Sequence, residues 1–184
     1  MIIGLSGFAR SGKDTVANYL VSNYGFTKVS FADPMREALY RLDPKIEIAD
    51  MHGVSLAVAV DGLGWEQLKE ESPDVRPLMQ RMGTEVGRNM FGQNFWVEQA
   101  MKLVAQHENV VLADVRFKNE ADAILESDGV LWRVSRPGFE AVNAHISERD
   151  LDDYHFTSHI TNDKTVESLH STVDFAMHLL QERV

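Results

Sequence analysis

The chain has 184 residues, 44% hydrophobic and 25% charged, a size and balance that support a packed core and exclude disorder over its bulk. Against 28 acidic residues stand 18 basic ones, for a net charge of −10; such a surface repels nucleic-acid backbones and excludes a protein that coats DNA or RNA. The absence of cysteine removes disulfides, iron–sulfur clusters and thiolate zinc sites. No apolar run approaches the roughly 18 residues of a membrane span. The apolar start, Met1 to Phe8, lacks a basic leader and is not read as a signal peptide. A soluble, cytoplasmic protein is expected.

Ile2-Ile3-Gly4-Leu5-Ser6 is a nearly continuous apolar run ending in a glycine loop, the pattern of a buried parallel strand. Val16, Ala17, Leu20, Val21 and Tyr24 then recur at helical spacing until Gly25. Thr27 to Phe31 predicts a second strand. Asp33-Pro34 follows as an N-cap with proline at the first helical position, opening a helix to about Leu42. Ser55 to Val60 alternates like a strand but has the Ala/Leu content of a helix, and helix is preferred. Trp65 to Glu71 reads as a short helix. A longer one is expected from Asp74 to Met90, with Met79, Met82, Val86 and Met90 as its apolar stripe, and another from Phe95 to Gln106.

Val110 to Ala113 is a third buried strand, ending in Asp114. Asn119 to Ser127 is a helix closed by Gly129, and Val130 to Ser135 a fourth strand. Residues 136–153 are polar and irregular. Thr157 to Thr161 is a fifth strand, and Thr165 caps a final helix bearing Val166, Leu169, Val173, Ala176, Met177 and Leu180. Strands alternating with helices predict an open parallel α/β sheet. The long helical insertion between the second and third strands is a natural substrate-binding lobe.

Gly7 to Thr15, GFARSGKDT, fits the first seven positions of G-x-x-x-x-G-K-[ST], between an apolar strand and an amphipathic helix. Glycines there let backbone N–H groups turn in around phosphate oxygens, and the helix N-terminus faces the same anion. Ser11 and Gly12 belong to this cradle, and Lys13 adds a full charge for the terminal phosphates. Asp14 stands where Ser or Thr normally supplies a hydroxyl to Mg²⁺, with Thr15 one place later. Asp14 either holds the metal through water or is simply a favourable first-turn acid. Arg10 places a second cation by the phosphates, for transfer-charge stabilisation or for an ion pair.

Asp114 leaves a buried strand beside this loop, as a metal-orienting acid does, and Arg116 follows it at the strand end where ligands sit in such sheets. A turn or cap is the alternative for Asp114. Arg76, Gln80, Thr84 and Arg88 recur every four residues, drifting about 40° per step and sharing one polar face. They form either an acceptor-binding surface or a solvated helix face. Trp65, Trp96 and Trp132 read first as core residues. His155 and His159 lack a metal-binding context, and Glu148, Asp150, Asp152 and Asp153 read as a solvated acidic run, with Ser147 and Asp150 as a helix cap.

The segments SGFARSGKDT, RPLMQRMGTEVGRNMFGQNFW, DVRFKNEAD, RVSRPG and HITND resemble, in order, the phage-type deoxynucleoside monophosphate kinases. In that family Asp14 is normal. Animal phosphomevalonate kinases and dephospho-CoA kinases are similar at greater distance. The resemblance implies a three-layer P-loop kinase fold with a five-stranded parallel sheet in the order 2-3-1-4-5. It implies a single domain over 1–184, with an acceptor-binding helical insertion at about 34–107 and a lid at about 136–153. It also implies ATP phosphates at Gly7 to Thr15, acceptor contacts at Arg76, Gln80, Thr84, Arg88 and Trp96, Arg136 entering the lid, and Asn162 by the adenine. His145 and Glu148 fall in the lid. The expected reaction is ATP + dNMP → ADP + dNDP with Mg²⁺ held by Asp14 and Asp114, dTMP and dGMP being the leading acceptors. Nucleotides are the expected partners, with no nucleic acid, no membrane, and a homodimer allowed. Another small phosphorylated acceptor and a non-catalytic nucleotide-binding regulator are the alternatives.

Overall fold

A computed structural model describes residues 1–138 and 150–182. His145, Ser147, Glu148 and the middle of the expected lid lie outside the described residues. The chain forms two compact units, Met1–Phe31 with Met101–Val184, and Ala32–Ala100. Among the described residues, no helix is long and apolar enough to cross a membrane.

The first unit is built on a parallel sheet. Its strands are β1 (Ile2–Ser6), β2 (Thr27–Val29), β5 (Val110–Leu112), β6 (Val130–Ser135) and β7 (Ser158–Thr161), in spatial order β2-β5-β1-β6-β7. Counted along the chain, that is the 2-3-1-4-5 order that the family resemblance implies. Ile3 pairs with Val111 on one side and Val130 on the other, so β1 is central. Residues of β1 and β5 are near-continuously apolar because both faces are covered. Helices α1 (Lys13–Tyr24) and α7 (Val166–Gln181) supply Val16, Leu20, Leu169, Val173 and Met177 to a core shared with Ile3, Leu5, Trp132 and Val134. Helix α6 (Lys118–Glu126) packs against β1 and β6. Trp132 is fully buried, as a core reading requires.

The second unit starts with α2 (Asp33–Leu42). Asp33 is not its N-cap, as the sequence predicted; Ala32 holds that place, and the Asp33 carboxylate instead pairs with Arg36 one turn on. A two-stranded antiparallel hairpin then follows that the sequence reading missed, β3 (Lys45–Ile48) and β4 (Met51–Ser55). Asp43 joins these pieces. It accepts from the Ser55 hydroxyl at 2.6 Å and from the Ala57 N–H at 2.9 Å. These hydrogen bonds, the hydroxyl first, hold its carboxyl below the usual carboxylate range.

Helix α3 (Leu56–Glu71) contains both helical pieces predicted from sequence, divided at Gly64, where φ is 73° and ψ 161°. The expected continuous helix over 74–90 is instead a short α4 (Val75–Gln80) running into a π-helical segment, Arg81–Phe91. Its wider turns, closed by i→i+5 hydrogen bonds, break the predicted stripe: Met79 and Met82 pack on the unit's core, while Met90 is 70% exposed. Gly87 is needed there for close approach, since a Cβ would stand 1.9 Å from the Trp96 indole nitrogen. Helix α5 (Phe95–Val104) carries that tryptophan.

Candidate active site

The turn from β1 into α1 is the phosphate-loop motif in three dimensions. Gly7 (φ 151°) and Gly12 (φ 107°) occupy backbone conformations that side chains resist, and Arg10 (φ 65°) adopts the left-handed region without being glycine. A Cβ on Gly7 would fall 2.1 Å from the Val134 carbonyl oxygen. The loop is tightened by a Ser11 N–H to Phe8 carbonyl bond of 3.2 Å. Lys13 folds back over it and donates to the carbonyls of Gly7 at 2.7 Å and Phe8 at 2.9 Å. Among the described residues the buried Ser11 hydroxyl oxygen has no hydrogen-bond partner, an orphaned polar atom of the kind that an anion's oxygen would satisfy.

Asn162, just beyond β7, buttresses the loop from behind. Its N–H bonds the Ser135 carbonyl at 2.8 Å, and its side-chain amide donates to the Ser11 carbonyl at 3.0 Å. It also lines a cleft with Arg10, Gly12, Lys13, Asp14, Thr15, Arg136 and Lys164. Four cations against one carboxylate make that cleft fit for polyphosphate. A second cleft, on the other side of Lys13, is lined by Ser6, Gly7, Ala9, Lys13, Val115, Arg116, Arg133 and Leu151. Lys13 and Arg116 are therefore brought together, and Lys13 borders both concavities.

The two candidate metal acids are engaged differently. Asp14 is 82% exposed and pairs with Lys28 at 2.7 Å. Asp114 accepts from the Ser30 hydroxyl and from the Phe31 N–H at 3.2 Å, tying the end of β2 to the end of β5. Among the described residues no three His, Cys, Asp or Glu side chains gather as a metal cage. Mg²⁺ is commonly held by one or two carboxylates with substrate phosphates and water, so Asp14 and Thr15 in one cleft fit that donor set. Glu120, a buried carboxylate that the sequence reading passed over, accepts from the Arg116 N–H at 2.7 Å and the Phe117 N–H at 3.1 Å. It fixes the backbone that presents Arg116.

The predicted acceptor residues lie in the second unit. Arg76 donates to the Lys69 carbonyl at 3.1 Å and pairs with Glu70. Gln80 and Thr84 are exposed, and Arg88 is half-buried. The Trp96 indole N–H donates to the Gly83 carbonyl at 3.0 Å, and the ring packs on the unit's core. Trp96 thus shapes the π-helical segment from which Thr84 and Arg88 project.

The chain thus has a P-loop nucleotide-binding architecture, a five-stranded parallel sheet whose first turn is a lysine-bearing phosphate loop. Its sequence matches the family Deoxynucleotide monophosphate kinase over residues 1–71 and 65–173. The chain belongs to that family. It is 32% identical to a provisionally named deoxynucleotide monophosphate kinase of Acanthamoeba polyphaga mimivirus, over 94% of each chain. It is 24% identical to the deoxynucleotide monophosphate kinase of Enterobacteria phage T4, over 97% of this chain and 99% of the relative. Among solved structures, dephospho-CoA kinase from Campylobacter jejuni is similar in fold, with a TM-score of 0.53 at 12% identity over 98% and 97% of the two chains. Shikimate kinase from Aquifex aeolicus has a TM-score of 0.50 at 14% identity, over 97% of this chain and 96% of that one.

Proposed function

We propose that this enzyme transfers the terminal phosphoryl group of ATP to the phosphate of a deoxynucleoside 5′-monophosphate, with dTMP and dGMP as the leading acceptors. The observation that carries the reading is the family match along most of the chain, joined to a phosphate loop flanked by two cationic clefts that share Lys13. The attacking acceptor phosphate is already an anion at neutral pH, so no strong general base is required. The work is positioning and charge neutralisation.

In this reading Gly7, Ser11, Gly12 and Thr15 cradle the ATP phosphates, and Lys13 with Arg10 neutralises the transferred group. Arg136 and Asn162 border the ATP side. Arg116 contacts phosphate beside the loop in the first unit, and within the second unit Arg76, Gln80, Thr84, Arg88 and Trp96 are the acceptor-binding residues. Asp14 and Asp114 would hold Mg²⁺ through water, and the metal would supply charge neutralisation on the phosphates.

A coupled ADP-release assay across the deoxy- and ribonucleoside monophosphates tests this. ADP release that depends on a deoxynucleotide is expected. Release that depends only on phosphomevalonate or dephospho-CoA, or nucleotide binding with no acceptor-dependent release, overturns it.

A further inference from the structure

One cation in the second cleft has no role in the mechanism above. Arg133 lies in the middle of β6 in register with Ser6, the last residue of β1 before the phosphate loop. Its guanidinium donates to the Ser6 hydroxyl at 3.2 Å and to the Asp152 carboxylate at 3.0 Å. It also lies over the ring of Phe8, itself in the phosphate loop, 5.0 Å from the centroid, and 5.5 Å from that of Phe156. Two aromatic rings and a hydroxyl thus fix the group in place before any ligand arrives.

Burial separates the two members of the ion pair. The Arg133 side chain is 14% exposed and that of Asp152 40%. The carboxylate can turn to water at small cost; the guanidinium cannot leave its aromatic seat as cheaply. Its bonds to Ser6 and Asp152 use two of its five N–H donors. The cleft that Arg133 lines also contains Lys13 and Arg116, and among the described residues no carboxylate lines it. Three cations line one concavity, with Asp152 as the carboxylate on one of them, and an anion entering between them is attracted by all three.

We propose that Arg133 is a third anion-binding cation of the transfer cleft, contacting phosphoryl oxygens beside Lys13 and Arg116, with Asp152 as a counter-ion that the incoming phosphate displaces. The proposal rests on the phosphotransferase reading of the site but not on the identity of the acceptor's base. It separates Arg133 from Asp152: one binds the ligand, and the other competes with it.

The test uses the full chain and inorganic pyrophosphate as probe, with binding read by calorimetry and folding by thermal melting. Arg133→Met should weaken pyrophosphate binding by about 10-fold or more, the scale of losing a charge-assisted hydrogen bond. Arg133→Lys should recover only part of that, because an ammonium reproduces neither the planar fork nor the stacking. Asp152→Asn should leave binding unchanged or tighten it. A structural tie predicts the opposite pattern, with Arg133→Met and Asp152→Asn losing melting temperature and affinity together. That result, or wild-type pyrophosphate affinity in Arg133→Met, overturns the proposal. Because the probe carries no base or sugar, failure here is distinct from failure of the deoxynucleotide assignment.

Discussion

The phosphate loop and the arginine-bearing helix of the insertion both present cations, but they hold them in opposite ways. Lys13 donates to the loop's own carbonyls at Gly7 and Phe8, so its ammonium is placed by the backbone of the loop. Arg76 rests on a carboxylate, Glu70, and both partners are more than half exposed. An exposed pair of this kind is worth about 0–1 kcal/mol. A phosphate reaching Arg76 exchanges one anion for another at little cost, while one reaching Lys13 meets an ammonium already placed by the loop backbone. Electrostatic preorganisation is therefore concentrated in the loop, and adaptability in the insertion.

The largest effect that sharpens this contrast is at the loop. Lys13→Ala should lower turnover by at least about 100-fold, the scale of one preorganised transition-state charge. Steady-state ADP release measures it, and near-wild-type turnover breaks the contrast at its root. Next come the insertion arginines. Arg76→Met or Arg88→Met should cost about 1.5–3 kcal/mol, or about 10- to 150-fold, in kcat/KM for the deoxynucleotide, with KM for ATP nearly unmoved. Unchanged acceptor kinetics in both variants would leave that face merely solvated.

Stability gives a third comparison, inside the insertion. Gly87→Ala forces a methyl group into the Trp96 indole and should cost about 1–3 kcal/mol in urea denaturation. Gly83→Ala meets nothing within 4 Å and should be neutral or stabilising. Equal effects would show that the indole does not shape this segment. Asp14→Asn, a milder change at the loop, should move the Mg²⁺ dependence of turnover to higher metal and leave melting little changed. An unmoved titration makes Asp14 a helix-start residue.

The smallest effect concerns acid. The Asp43 carboxyl titrates below its ordinary value of 3.8, so it binds protons less readily folded than unfolded. Its contribution is present above that ordinary value and is lost as pH falls through the folded value. Asp43→Asn should therefore be less stable than wild type at neutral pH, with the gap in melting temperature closing in acid below 3.8. Parallel melting curves across that range would show that Asp43 carries no such linkage.

The parallel sheet and the loop were legible because their signals are local and redundant: apolar runs of strand length, glycines at the turns, GK at a helix start. The insertion was less so. The residues Lys45-Ile46-Glu47-Ile48 do alternate, but the strand opposite them, Met51 to Ser55, is weakly patterned and contains Gly53, and the joint is made by Asp43 reaching across to Ser55. Apolar spacing could not distinguish i→i+4 from i→i+5 turns, so Met90 was read as buried. Arg133 went unnoticed because a strand covered on both faces gives no alternation to show which side a residue occupies. One signal was present: a single cation inside Val-Leu-Trp-Arg-Val-Ser, where burial demands a partner.

The bond from Asn162 to the Ser11 carbonyl spans 151 positions of chain. The central strand β1 likewise finds its neighbours at Val110 and Val130, not in the adjoining β2. A loop encoded within the first dozen residues thus depends on contacts of very high sequence separation, which form late because their closure entropy must be met first. During synthesis the nucleotide cradle is completed only after β7 has emerged, so phosphate binding reports the closure of the whole first unit. A ligand bound there would act as a clasp between early and late segments of the chain and would shift the folding equilibrium by mass action.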